Sequence, residues 1–390
     1  MRKFAWLVTF LAVMVFALSM TFMSPISVSA IGEVTPTPAP DEPEDLPEDI
    51  DVDELIEDGI VDIQNGDYRA AVAKMDLVIE FDPDVMTAYL IRGVANSQLG
   101  FIDDAIDDFT SAIEIEPWLS DLYLFRGGAY ELDNDLTSAL LDYEQAIYIS
   151  PLTPDGYLAR SNVNYALGDS DAGDVDDLIA RALFAFGNGD VSSVFAFLDE
   201  AIETGEGLTS IGVAYYIRGI TNMNIGDADA AFDDYDAALE ADPNLHNAYL
   251  GRGILHREEG DIEAAGEDFF NRITIHGQEV IEEEMEIGDT IEVEMAYRRV
   301  IAISFEGEEG QVVNITADDF GGAIVDPLIA LLDPDGEPIA GDDDFGGALN
   351  SLIDDFELPE DGTYTVLLSH AEGGYTFGFN GIVVVEIEED

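Results

Sequence analysis

The chain has 390 residues, 47% of them hydrophobic, which is enough for two or three domains with packed cores. It carries 84 Asp and Glu residues against 14 Lys and Arg, and a surface this negative makes nucleic acids and anionic phospholipid poor partners. It has no cysteine, which excludes disulfides, thiolate metal sites and a cysteine nucleophile. The acidity fits adaptation to salt or simple solubility, and it would also attract cationic partners or divalent ions.

Residues 1–30 have the pattern of a targeting segment. Arg2 and Lys3 precede an apolar run that extends to about Met23, and small residues up to Ala30 suit signal peptidase. The run is also long enough to span a bilayer. It therefore predicts either a cleaved signal peptide or an uncleaved anchor. In both cases we expect the rest of the chain outside the cytoplasm, either secreted or held at the cell surface by this segment.

Residues 31–52 follow as a linker. Alternating prolines and a cluster of acidic residues disfavour both helix and sheet there and keep the segment extended. Such a spacer could hold the folded part away from a membrane or wall, or it could simply be an unstructured end.

A phrase that begins with tyrosine recurs at a step of 34 residues. It reads Tyr-Leu-Ile-Arg-Gly at residues 89–93, and related phrases begin at Tyr123, Tyr157, Tyr215 and Tyr249. Most are followed by a turn residue, by Ala-x-x-x-aromatic and by a proline that stops the second helix. A fixed period of 34 indicates stacked helical hairpins, which hold partners more often than they catalyse reactions. The pattern resembles tetratricopeptide repeats over about residues 52–274, with Tyr where that family often has Trp and Arg-Gly where it often has Leu-Gly.

The register breaks between residues 168 and 208. The step from Arg160 to Arg218 is 58 residues instead of 68. Two helices, Asp171 to Phe186 and Val191 to Glu203, are predicted where three would preserve the alternation. We therefore expect an α-solenoid of two arrays, residues 53–204 and 205–274, with a kink or reorientation between them.

One charge pairing follows from the repeats themselves. We call the first helix of each repeat helix A and the second helix B. An arginine of helix A is followed sixteen residues later by an aspartate of helix B, as in Arg126 and Asp142. The other pairs are Arg92 with Asp108, Arg218 with Asp234, and Arg252 with Asp268. In the first repeat the two charges are exchanged between Asp58 and Lys74. A swap at both positions predicts that they touch, so we interpret these arginines as pins between helices rather than as ligand contacts.

The resemblance to tetratricopeptide repeats implies a partner-binding groove lined by helix A residues. The residues at those positions are Leu90, Val94, Gln98, Leu124, Glu131, Tyr216, Ile220, Met223, Leu250, Ile254 and Arg257. The basic carboxylate clamp of some family members is missing. The face is apolar with acidic edges, so the expected partner is a neutral to basic protein or peptide. The alternative is that much of this face packs inside the array.

From about residue 276 to residue 390 the period of hydrophobicity changes from 3.6 to 2, which predicts strands. The predicted strands are Thr290 to Met295, Val300 to Phe305, Gln311 to Thr316, Thr363 to Leu368 and Ile382 to Ile387. Short strands with turn residues between them favour an antiparallel β-sandwich or jelly roll.

Three phrases of this region carry a second resemblance. They are Gly-Gln-Val-Val-Asn-Ile at 310–315, Leu-Asp-Pro-Asp-Gly at 332–336 and Leu-Pro-Glu-Asp-Gly-Thr-Tyr-Thr-Val at 358–366. Residues 286–388 thereby resemble the bacterial pre-peptidase C-terminal domain. The resemblance implies a non-catalytic jelly-roll module of exported proteins, sometimes calcium-binding and often attached to secreted peptidases. Here a repeat array stands in place of the peptidase.

Four aspartates on two loops of this region are candidate calcium ligands: Asp333, Asp335, Asp342 and Asp344. Calcium needs six to eight oxygen ligands, and clustered carboxylates could supply several of them. The spacing does not match an EF-hand, and ordinary turn chemistry is the alternative explanation.

Signatures of catalysis are missing from the sequence. The four histidines, His246, His256, His276 and His370, are scattered, and no metalloprotease, nucleophile-elbow, phosphate-loop or dinucleotide motif is present. We therefore expect no enzyme and no required cofactor. The expected function is an exported protein-interaction scaffold. The alternatives are an acidic envelope or adhesion protein and a non-catalytic subunit of a secreted hydrolase complex.

Overall fold

The computed structural model describes residues 51–208, 210–296, 298–320, 326–343, 350–370 and 381–389. The predicted signal segment, nearly all of the predicted linker and Asp344 lie outside these residues. Within them, none of the helices is both long and apolar enough to cross a membrane.

Helices account for the first part of the described chain, as the 34-residue period predicts. The thirteen helices between residues 51 and 276 are α1 (Val52–Asn65), α2 (Tyr68–Phe81), α3 (Met86–Leu99), α4 (Ile102–Ile115), α5 (Ser120–Leu132), α6 (Leu136–Ile149), α7 (Pro154–Leu167), α8 (Ser170–Gly187), α9 (Val191–Thr204), α10 (Ile211–Ile225), α11 (Ala228–Ala241), α12 (His246–Glu259) and α13 (Ile262–His276). The two helices predicted across the register break, α8 and α9, are confirmed to within one residue.

Each hairpin is closed by a tight turn and a close helix contact. Gly100 ends α3 with φ of 82°, a left-handed conformation that favours glycine, and its N–H donates to the α3 carbonyls. On the same helix, a Cβ at Gly93 would lie 2.7 Å from the ring of Phe109 on α4. The helices can approach this closely only because Gly93 has no side chain, as the sequence pattern predicts.

The register break has a simple structural cause, because α8 takes part in two hairpins. Arg160 on α7 pairs with Asp176 on α8 at 2.7 Å, which makes α8 the second helix of that repeat. Arg181, also on α8, lies over the ring of Phe197 on α9 at 5.5 Å and at the same sixteen-residue spacing. With respect to α9, α8 therefore occupies the place of a first helix. Helix α8 is buried on several sides, as a helix shared between two neighbours must be.

The chain divides into two compact units, residues 1–146 and 147–390. The second unit contains α7 to α13 and all nine strands that the structure describes.

The strands form two sheets. They are β1 (Glu279–Glu284), β2 (Thr290–Met295), β3 (Arg299–Gly307), β4 (Val312–Phe320), β5 (Pro327–Leu332), β6 (Pro338–Asp342), β7 (Asn350–Glu357), β8 (Gly362–His370) and β9 (Gly381–Glu389). One sheet has the order β1-β3-β8-β5-β6 and the other β2-β9-β4-β7. All paired neighbours are antiparallel except β1 and β3. The five strands predicted from alternation correspond to β2, β3, β4, β8 and β9.

The five-stranded sheet is covered on both faces. On β5, Ile329 and Leu331 point into the core between the sheets. Leu328, Ala330 and Leu332 alternate with them and pack on α13. Helix, sheet and sheet thus form three layers in the second unit.

Candidate functional site

The predicted arginine pins are confirmed, and they leave the arginines fully engaged inside the fold. Arg126 and Asp142 meet at 2.7 Å, and the pair in the first repeat, Lys74 and Asp58, meets at 3.2 Å. The other three predicted pairs lie at 2.5 to 2.7 Å. Sequence reasoning missed the pair between Arg160 and Asp176, although its spacing is the same.

The same arginines also reach the preceding hairpin. Arg252 Nη1 binds Asp236 at 2.7 Å, while its guanidinium lies over the ring of Tyr249 on its own helix. Arg92 and Arg218 make the corresponding contacts. Burial raises the pKa of Asp268, and the hydrogen bond and charge of Arg252 act against that rise. These arginines therefore connect repeats and are not free to hold a ligand.

In the first unit, the predicted groove residues differ in accessibility. Leu90 and Val94 are buried, with 0% and 3% of their surface exposed. Gln98 and Leu124 are half-buried, and Glu131 is exposed and accepts a hydrogen bond from the hydroxyl of Tyr143. The alternative of internal packing thus holds for the first two residues, and a partner could reach the other three.

In the second unit, α10 presents an apolar stripe. Tyr216, Ile220 and Met223 follow one another at i, i+4 and i+7, which places them on one face of the helix. All three are half-buried and pack on the helical core around Tyr235, whose hydroxyl lies 3.0 Å from Met223 Sδ. The side chains of Ile220 and Met223 are apolar and only half-buried, which suits an apolar side chain of a partner.

The equivalent stripe on α12 lies beside the β domain, residues 279–389, and Arg257 contacts that domain directly. Leu250 and Ile254 pack on the cluster formed by α13 and the outer face of the five-stranded sheet. Arg257, one turn further on, forms an ion pair through Nε with Asp342 at the end of β6. All three were predicted to meet a partner molecule. The structure pairs Arg257 with the chain's own β domain, while Leu250 and Ile254 are half-buried and keep part of their surface exposed. Sequence spacing gave no sign of this contact, because it joins residues far apart in the chain.

The close approach of α13 to β6 depends on two glycines. A Cβ at Gly266 would lie 2.6 Å from the backbone carbon of Ala340, and one at Gly341 would lie 3.0 Å from Gly266 Cα. Backbone contact at this distance leaves no room for a side chain on either partner.

The candidate calcium ligands are distributed over both ends of a hairpin. Asp333 and Asp335 lie in the β5–β6 turn, where Asp333 Oδ1 accepts from the N–H of Asp335 at 2.9 Å and so makes ordinary turn contacts. Asp342 lies at the other end of β6, about 13 Å away at the rise of a β-strand. It is buried, pairs with Arg257 and accepts from the N–H of Leu352 at 2.6 Å.

Among the described residues, no group of three histidine or acidic side chains is arranged to hold a metal ion. Since Asp344 lies outside them, calcium binding stays a prediction.

Three of the four histidines, described as scattered in the sequence, lie in one region of the second unit. His246 and His276 have ring centroids 4.7 Å apart, and Tyr148 packs edge-on against His246 at 4.6 Å. The guanidinium of Arg298 lies 5.6 Å from the centre of the Tyr148 ring, and its Nε donates to the carbonyl of His276 at 2.7 Å.

Arg272 and His370 complete this group, and we call the six residues Tyr148, His246, Arg272, His276, Arg298 and His370 the histidine cluster. Arg272 has no exposed surface, and His246 has 2%. Burial lowers the pKa of His246 well below its ordinary value, and the positive charges of Arg272 and Arg298 and the neighbouring His276 add to that effect. Burial and the same two arginines, with His370, lower the pKa of His276 to about 2. The buried imidazoles are therefore neutral at pH 7.

Comparison with known proteins agrees with the repeat pattern. Residues 216–279, which contain most of α10 and all of α11 to α13, match the family model described as tetratricopeptide repeat. None of the curated proteins compared with the chain matches it.

Several solved structures are similar to part of the chain. The crystal structure of MamA is 19% identical, with a TM-score of 0.29, and the match covers 47% of this chain and 94% of MamA. A tetratricopeptide repeat protein from Parabacteroides merdae is 17% identical, with a TM-score of 0.31 and coverage of 57% and 93%. A thermophilic tetratricopeptide repeat protein of Thermus thermophilus is 17% identical, with a TM-score of 0.30 and coverage of 52% and 98%.

Proposed function

We propose that the protein is an exported, non-catalytic scaffold whose helical hairpins bind a neutral to basic protein or peptide. The observation that carries this proposal is the apolar stripe of Tyr216, Ile220 and Met223 on α10. It lies on the face that the repeat pattern assigns to partners, and within the matched repeat stretch. Apolar anchors at i, i+4 and i+7 suit a peptide that lies along or across a helix face.

Charge around the stripe favours a basic partner. The chain carries 84 acidic residues, and the arginines of the repeats are held in internal ion pairs. The acidic surface would repel an acidic peptide, and the paired arginines of the repeats would not offset this repulsion. A basic peptide would be attracted before contact. We infer export from the apolar N-terminal segment that follows Arg2 and Lys3.

The β domain is proposed to be a jelly-roll module of the pre-peptidase C-terminal type. Its strand order supports this, because β2-β9-β4-β7 and β3-β8-β5-β6 are two four-stranded antiparallel sheets with the alternation typical of a jelly roll. In this proposal β1 is an added edge strand, and the outer face of the five-stranded sheet serves to dock onto α12 and α13.

The binding proposal is tested with peptides selected from a random library on the full chain and measured by isothermal titration calorimetry. Ile220→Asp places a charge in the stripe, and we expect it to weaken a selected peptide by tenfold or more, about 1.4 kcal/mol. Ile225→Asp is the matched control, because Ile225 ends the same helix, is 52% exposed and lies off the stripe. Equal affinities for both variants, or selected peptides that are mainly acidic, would contradict the proposal.

A further inference from the structure

The histidine cluster joins five separate parts of the second unit. Tyr148 comes from α6, His246 from α12, and Arg272 and His276 from α13. Arg298 precedes β3, and His370 ends β8. The cluster thus lies where the last helical repeat meets the β domain, beside the apolar contact of α13 with β5.

We propose that the histidine cluster is an acid-sensitive clasp, in which neutral imidazoles hold the last repeat against the β domain and their protonation releases it. The inference rests on the packing and charges of the cluster and is independent of any bound partner.

The contacts of the cluster need uncharged rings. His246 packs its ring on Tyr148 and His276 at centroid distances of 4.6 and 4.7 Å, with almost no access to water. The hydroxyl of Tyr148 lies 3.5 Å from Nδ1 of His276, and a neutral His276 can accept there. A proton on either ring would add a positive charge to a site where desolvation is costly.

The surrounding charges make that cost larger. Two permanent cations, Arg272 on α13 and Arg298 before β3, lie close enough to disfavour protonation of both histidines. On the β-domain side, the backbone N–H of Asp326, the residue before β5, donates to Nε2 of His370 at 3.5 Å, which makes Asp326 the acidic residue next to the cluster there. On α12 the neighbouring side chain is the uncharged Asn247. Protonation of His246 and His276 would therefore place four positive groups together.

The direction of the pH effect follows from the lowered pKa values of His246 and His276. In the unfolded chain both titrate near their ordinary value of about 6.5, but in the folded chain they resist protonation. Their contribution to stability is complete above pH 6.5 and falls as the pH drops below it, by about tenfold in the folding equilibrium per pH unit and per histidine. The carboxylates of the chain act in the opposite sense, because their mutual repulsion relaxes as they become protonated.

Release of the clasp would free Arg257 on α12 from Asp342 and would further expose Leu250 and Ile254, which are half-buried against the cluster of α13 and the sheet in the closed state. Acid would thus extend the accessible apolar face from α10 to α12.

The first test is an imidazole titration of the full chain by NMR, which is practical because the chain has four histidines. We expect the ring signals of His246 and His276 to keep their neutral shifts between pH 8 and pH 5. Smooth titration of either ring above pH 6 would overturn the proposal, and this measurement needs no variant.

The second test compares denaturant unfolding of the full chain and of His246→Gln and His276→Gln between pH 7.5 and pH 4.5. Each variant removes one histidine whose protonation is suppressed by folding. Below pH 6.5 its folding equilibrium constant should therefore fall less steeply than that of the parent chain, by about a factor of ten per pH unit. His256→Gln is the matched control, since His256 lies on the same helix but close to Asp268, at 3.9 Å. Parallel pH profiles for all four proteins would overturn the proposal.

Hydrogen exchange separates release of the clasp from general acid unfolding. Between pH 7 and pH 5 we expect protection in α12, α13 and β5 to fall, because a clasp that is still mainly closed opens more often, while the helices of residues 52–146 keep their protection. If the variants fail to fold, this measurement on the parent chain still decides. Uniform loss over the whole chain would contradict a local clasp.

Discussion

Helices α10 and α12 present the same three repeat positions in two different settings. On α10 these positions are Tyr216, Ile220 and Met223, which pack only on helical neighbours. On α12, Leu250 and Ile254 pack on a cluster formed by α13 and the sheet of the β domain, and Arg257 pairs with Asp342. One face of a repeat can therefore be a candidate partner surface in one hairpin and an internal interface in the next. What decides between them is the domain that follows the last repeat.

The largest expected effect is a difference in stability between charges placed on the two faces. Ile254→Asp would place a carboxylate at a half-buried position, against the cluster formed by α13 and the outer face of the five-stranded sheet, and we expect it to lower the free energy of unfolding by about 2 kcal/mol. Ile220→Asp, on the equivalent position of α10, should cost less than about 1 kcal/mol. Denaturant unfolding of the two variants measures the contrast. Equal losses would show that the two faces are not different environments.

The ion pair of Arg257 and Asp342 sharpens the comparison on the covered side. Arg257→Met leaves a fully buried carboxylate without its cation, and we expect a loss of about 2 to 3 kcal/mol. Asp342→Asn in the same background should recover part of it, because no buried charge then remains. The control is Glu279→Gln, which breaks an ion pair of Arg299 at 3.0 Å whose acidic partner is 61% exposed, and it should change stability by less than about 1 kcal/mol.

The variant Asp342→Asn also tests calcium binding. If Asp342 is held by Arg257, millimolar calcium should leave the melting temperature of the parent chain unchanged. A rise with calcium that disappears in Asp342→Asn would favour the metal site predicted from the aspartates.

A smaller effect is expected from the ion pairs between arginine and aspartate that join the two helices of a repeat. Arg126→Ala and Asp142→Ala should show a coupling of about 1 to 2 kcal/mol in a double-mutant cycle, since the pair is largely buried and lies at 2.7 Å. A cycle of Arg126→Ala with Asp53→Ala, an exposed residue of α1, serves as the control and should be additive. Additivity of the Arg126 and Asp142 changes would refute the pairing.

The smallest effect is expected where α8 serves two hairpins. Arg181 contacts the ring of Phe197 on α9, where the other repeats have an aspartate; its ion pair with Asp177 lies within α8, and Arg181 is more than half exposed. A cycle of Arg181→Met with Phe197→Leu should give a coupling below about 1 kcal/mol. A coupling as large as that of Arg126 with Asp142 would mean that the shared helix is pinned as firmly as an ordinary repeat.

The repeats could be predicted because their signals are local and recur. The turn at Gly100, the contact of Gly93 with Phe109 and the pair of Arg126 with Asp142 each follow from a spacing that several repeats share. The double role of α8 was not predicted, although Arg181 and Phe197 stand at the same sixteen-residue spacing, because an aromatic ring replaces the expected aspartate.

Strand β5 and the histidine cluster escaped prediction for two other reasons. The run Pro-Leu-Ile-Ala-Leu-Leu of β5 is buried on both faces, so it lacks the alternation that marks a half-exposed strand. Residues Tyr148, His246, His276 and His370 come from separate elements, and nothing in their spacing shows that they meet. Contacts between residues far apart in the chain need the folded structure.

Cysteine labelling tests the division of the repeat face most directly, because the chain has no cysteine of its own. Ile220→Cys and Ile254→Cys place one thiol at equivalent positions of α10 and α12, and the rate of maleimide labelling at pH 7 is measured with and without a selected peptide. We predict fast labelling at position 220 that the peptide slows, and slow labelling at position 254 that the peptide leaves unchanged. Labelling at position 254 as fast as at position 220, or no protection of position 220 by the peptide, would contradict the account.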